Sequence, residues 1–172
     1  MKSPLLLLYL LFSSSFCWAQ AKDAYEEKYQ WRLRQEILYG VYIPKDVNEA
    51  FLELNKKMDE ASKTKFRAMT EQEAASKLLF NWITHNWGLY DGSRLTKYMN
   101  DLGIFAPDDM AGFLIIAYHR SLNKKPLEIK ELVKTFQDKA AQRKKERMER
   151  GKVIFEKTEK RDTPPPAKNG QR

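Results

Sequence analysis

Apolar residues recur along this chain at helical spacing almost from end to end. Tyr25, Tyr29, Leu33 and Ile37 stand every fourth residue and predict a helix from Asp23 to Tyr39, stopped by Gly40. Pro44 disfavours helical geometry at Ile43, so "VYIPKD" reads as an extended strap with Val41 and Ile43 toward the core. A second helix opens at Asp46, an N-cap with Glu49 three residues on, and buries Val47, Phe51, Leu54 and Met58. The polar "DEASKTK" reads as a connection pinned by Phe66 and Met69.

Thr70-Glu71-Gln72-Glu73 is a capping box for a third helix, whose face is Ala74, Ala75, Leu78, Leu79 and Trp82. Asp91-Gly92 marks a turn. Ser93 caps a short fourth helix with Leu95, Tyr98, Met99 and Leu102, closed by Gly103. Asp108 or Asp109 is the expected cap of a fifth helix, "MAGFLIIAYHRSL", apolar nearly all round and therefore central. The sixth presents Leu127, Ile129, Leu132, Val133 and Phe136. The fold class is all-α: a compact bundle of about five or six short helices with a basic helical C-terminal extension.

After Phe136 the apolar stripe disappears until Val153-Ile154-Phe155, and the text becomes a solvated basic helix. "TPPPAKNGQR" cannot continue a helix. At the other end, Lys2, the apolar run Leu5–Phe12 and Ala19-Gln20-Ala21 form a secretory signal pattern, with the cut after Ala21 or after Ala19. The apolar run is shorter than the ~20 residues a spanning helix needs. The expected organisation is a signal peptide at 1–21, an N-terminal helix at 22–40, a helical domain at 41–137, a basic helical extension at 138–162 and a disordered tail at 163–172.

Composition sharpens this picture at three points. With 42% hydrophobic and 31% charged residues the chain is a charge-coated globule rather than a disordered or membrane-embedded one. The only cysteine, Cys17, leaves with the signal peptide, so the exported form has neither disulfide nor cysteine metal site. The formal charge of +8 attracts anions. Export then points to phospholipid headgroups, an envelope protein or an anionic envelope polymer as the partner, and away from nucleic acid.

No P-loop, dinucleotide fingerprint, H-E-x-x-H or nucleophile elbow is present, and neither a cofactor nor a metal is expected. The least ordinary stretch is "NWITHNWGLYDGSRLTKY". Exposed aromatics beside Arg would suit a ligand, which singles out His85, Trp87, Tyr90, Asp91 and Arg94 as candidate binding residues. The same residues also have structural readings. Trp87 can plug a corner, Asn86 and His85 can tie off a helix end, and Arg94 can pair with a helix-start carboxylate. A hydrolase or glycan-acting enzyme centred on His85, Asp91 and Arg94 is the alternative, with His85 as general base. In the extension, Lys139, Arg143, Lys144, Lys145, Arg147, Arg150 and Lys152 are the candidate contacts to an anionic surface. The reading favoured overall is non-catalytic binding or envelope association.

Three strings, "YGVYIPKDVNEAFLEL", "NWGLYDGSRLTKYMNDLGIFAPDDMAGFLIIAYHRSLN" and "KPLEIKELV", resemble a bacterial family known only as a domain of unknown function. Its marks are an IP-x-D segment, an NWG-x-x-x-GSRL core and a PDDM segment, and the resemblance spans about Tyr39 to Val133. It implies a small helical domain, often exported, and brings no activity or catalytic residue. Where that family often has His before Pro-Asp-Asp, this chain has Ala106.

Overall fold

The computed structural model of the protein describes residues 24–75 and 77–159, without the side chains of 77, 78 and 152–159. The expected signal peptide at 1–21, the expected disordered tail at 163–172, and the side chains of Leu78, Lys152, Val153, Ile154 and Phe155 lie outside the described residues. Helices dominate: α1 (24–34), α2 (Val47–Lys57), α3 (Glu60–Ala68), α4 (Glu71–Ala74), α5 (Lys77–Asn86), α6 (Arg94–Asp101), α7 (Pro107–Leu122) and α8 (Ile129–Glu159). The class is all-α. The chain divides after Val133 into two units, the second of which is α8 from Lys134 onward.

The local start signals explain most helix boundaries of the first unit. Asp46 accepts from the Glu49 amide at 2.9 Å and opens α2. Thr70 and Glu73 close their box reciprocally, at 3.2 and 2.8 Å. Ser93 caps α6 through the Thr96 amide at 3.3 Å, and Gly103 follows the end of that helix at φ +85°. Each such cap satisfies a backbone N–H that the helix leaves without a partner.

α7 is the axis of this unit and packs against α2, α3, α4, α5 and α6. Its Met110, Phe113, Leu114, Ile115 and Tyr118 are wholly or almost wholly buried, as its all-round apolarity predicts. Tyr118 keeps its hydroxyl satisfied by donating to Asn55 Oδ1 at 3.0 Å, and burial pushes its pKa up to about 12. Arg120 forks onto Glu71 at 2.9 and 3.1 Å and donates to the Leu127 carbonyl, which ties α4, α7 and the segment after it together.

Four expectations need correction. The first helix ends at Arg34 rather than Tyr39, because Ile37–Leu38 (β1) pairs antiparallel with Val41–Tyr42 (β2) around Tyr39-Gly40. Both turn residues have positive φ, +51° and +80°, the geometry that matches the twist of a two-residue hairpin. Alternation then buries Leu38 and leaves Ile37 60% exposed, so the four-residue stripe ended on the wrong side chain. "DEASKTK" is helical within α3, because Asp59 caps it through the Ser62 amide at 2.7 Å; Phe66 is buried there, whereas Met69 is exposed.

The third helix is two, α4 and α5. Finally, neither Asp108 nor Asp109 caps α7. Ala106 holds that position and Pro107, which has no N–H to lose, takes the first turn.

Candidate functional site

The corner between α5 and α6 is held by its own polar groups. Asn86 donates back to the Trp82 carbonyl at 2.8 Å and so finishes α5, as the structural reading had it. Gly88 and Gly92 take positive φ, +60° and +87°, which lets the chain reverse within a few residues. Trp87 then falls inward with no exposed surface, its ring edge-on to Trp82 at 5.5 Å. The premise of a surface-lying Trp87 is therefore corrected: of its two sequence readings, the corner plug is the one observed. Trp82 is only half-buried and carries Lys57 Nζ 5.9 Å above its ring.

The other candidates are not gathered on one wall. Tyr90 is exposed and donates to Asp108 Oδ1 at 2.5 Å, a bond that raises the Tyr90 pKa. Asp91 offers its backbone carbonyl to Arg32 Nε at 2.9 Å while its side chain faces solvent. His85 is exposed, and among the described residues no hydrogen bond or ion pair joins it to Asp91 or Arg94.

Arg94 turns the other way. Its Nε donates to the Ile43 carbonyl at 2.6 Å, Nη1 meets Glu36 at 2.9 Å, and Nη2 meets Glu49 at 3.5 Å. Its guanidinium also lies 5.0 Å from the centre of the Tyr42 ring. Glu49 belongs to the first turn of α2, so this is the pairing with a helix-start carboxylate that the sequence allowed.

Arg94 thereby borders a site that sequence reasoning missed. An open cleft of about 530 Å³ is lined by Tyr42, Glu49, Leu52, Glu53 and Lys56. Its carboxylates are already committed. Glu49 accepts from Lys45 through both side chain and backbone N–H and from the Tyr42 hydroxyl at 2.8 Å. Those bonds, Lys45 first, hold its pKa down at about 2, so it is an anion at neutral pH and not a proton shuttle. The bond to Glu49 raises Tyr42 in turn, and Glu53 is paired with Lys56 at 2.6 Å. The available signal was Leu52, an apolar residue off the buried face of α2 and 59% exposed. None of His85, Trp87, Tyr90, Asp91 or Arg94 lines the cleft.

The basic extension is the other candidate surface. Residues 137–151 are exposed all the way round, including Lys139, Arg143, Lys144, Lys145, Arg147 and Arg150. Charge divides at the same place as the fold. Residues 22–133 carry 17 Lys and Arg against 17 Asp and Glu, whereas residues 134–172 carry 13 against 6. Residues 22–133 are therefore neutral overall, and the excess positive charge of residues 22–172 lies in the second unit.

Residues 43–122 match the domain of unknown function DUF6794, within the Tyr39–Val133 span of the resemblance. No curated protein and no solved structure matches the chain. No helix among the described residues is long and apolar enough to cross a membrane.

Proposed function

We propose that this is an exported, non-catalytic binding protein: a neutral helical body tethered to an anionic polymer of the cell envelope by its basic arm. The observation that carries the reading is the segregation of charge. A body with equal numbers of acidic and basic residues has no long-range attraction for polyanions, while an arm of net +7, exposed along its described residues 137–151, does. The state of the polar groups in the body supports binding over chemistry. Arg94 binds Glu49 and Glu36, and Tyr42 donates to Glu49, which ties α6, α2 and the hairpin together, while Glu53 is paired with Lys56 within α2.

Attraction of this kind is screened by salt, with a Debye length of ~10 Å at 0.1 M and ~3 Å at 1 M. The test is co-sedimentation of the mature chain with isolated envelope at low and at 1 M salt. Retention at low salt and release at high salt is the expected result. Retention that ignores salt, or equal retention of a chain ending after Gln142, would overturn it.

A further inference from the structure

The arm is more ordered in its chemistry than its net charge conveys. At 100° per residue, Lys139, Arg143, Arg147 and Arg150 fall within an arc of about 80° on α8. Asp138, Glu146 and Glu149 share the adjoining arc, and Lys134, Lys144 and Lys145 stand elsewhere on the helix. Every arginine of residues 134–151 is thus on one face, where only a single lysine joins them. That lysine has its Nζ 5.3 Å from the centre of the Phe136 ring. Mere solubility would be served equally by Lys or Arg on any face. Sorting the guanidinium groups to one side is what bidentate recognition of oxyanions needs.

The spacing narrows the ligand. From residue 139 to residue 150 the helix rises about 16.5 Å, so the four cations succeed one another at steps of about 6, 6 and 4.5 Å along the helix axis. A linear chain of phosphates can meet such a row group by group. A bilayer-surface helix would instead show a strong apolar face, and here the one large exposed apolar residue described on the arm is Met148, set well away from the arginines.

We infer that the Lys139–Arg143–Arg147–Arg150 face of α8 binds a linear phosphate-bearing polyanion. The inference rests on the proposed role of the arm and adds its ligand chemistry and its contact residues. Two sources share that chemistry, a polyphosphate and a polymer linked by phosphodiesters.

The test uses the full mature chain and measures its affinity by anisotropy for two probes, long-chain inorganic polyphosphate and a glycerol phosphodiester polymer. Anionic phosphatidylglycerol vesicles serve as the membrane comparison. Four contacts predict that log K falls with log salt at a slope of about −2.8. Replacing Arg143, Arg147 and Arg150 together by Lys preserves charge and helix propensity, and far-UV circular dichroism checks the helix. This variant is expected to bind at least about tenfold more weakly. Replacing Lys134, Lys144 and Lys145 by Gln, which removes three charges from the other faces, should cost less than replacing the three arginines by Gln.

Preference for one probe over the other names the source and supports the inference. Unchanged binding of the Arg-to-Lys variant, equal losses from both Gln variants, or tighter binding to vesicles than to either polymer overturns it while leaving the tether reading intact. If the chain ending after Gln142 binds both polymers as the parent does, the tether reading falls as well.

Discussion

The ring of Tyr29 lies against Gly92 so closely that a β-carbon there would stand 2.6 Å from its Cδ2. Together with the bond from Arg32 to the Asp91 carbonyl, this seats α1 on the α5–α6 corner. Gly92→Ala therefore faces both the overlap and a φ of +87°, the latter alone worth about 1–2 kcal/mol. Its urea midpoint should fall clearly. Tyr29→Ala should then cost less in the Gly92→Ala background than in the parent, because it relieves the overlap. Equal costs in the two backgrounds would show that α1 does not rest there.

Glu49 makes a pH prediction. Its folded pKa of about 2 lies below the ~4.3 of a free glutamate, so its contribution is complete above that value and is lost as pH falls toward 2. Glu49→Gln should lower the melting temperature at pH 7. The gap to the parent should shrink from about pH 4.5 downward and close near pH 2. A gap as wide at pH 2 as at pH 7 would assign the loss to shape and not to charge.

Trp87→Ala removes a wholly buried ring and should cost about 3–5 kcal/mol. Trp82→Ala, at a half-buried position, should cost less. Chemical denaturation of the two variants orders them directly, and the reverse order would mean that the corner is held by Trp82.

A chain ending after Gln142 loses, among the described side chains, only exposed ones. It keeps the buried Leu132 and Phe136. Its melting temperature should match the parent within about a degree or two. A drop of several degrees would show that a residue beyond 142 stabilises the fold.

What could be read from the sequence was what is local. Asp46, Thr70 and Ser93 cap their helices through amides three residues on, so the cap and its partner sit in one short string. α7 was legible because a helix apolar on every side has nowhere to be except the middle. The hairpin was not, because its turn uses Tyr39-Gly40 where Asn-Gly is the readable signal, and four apolar residues at helical spacing masked a period of two. Trp87 as a corner plug was readable from its place beside Gly88 at a helix end, but its edge-on packing against Trp82 was not, since that depends on how Gly88 and Gly92 redirect the chain. Arg94 shows the same limit from the other side. That it would pair with a helix-start carboxylate was readable, but not that Glu36 and the Ile43 carbonyl, more than fifty residues upstream, would share it.

The division of charge after Val133 also gives the chain two electrophoretic identities. Every cation on the arm is a cleavage site for a trypsin-like protease, and along 137–151 those sites are displayed to solvent. Progressive trimming would carry the isoelectric point down from about 9.4 toward neutrality. Cation-exchange retention thus reports the length of the arm, and under the proposed tether a single nick in the arm would release the body.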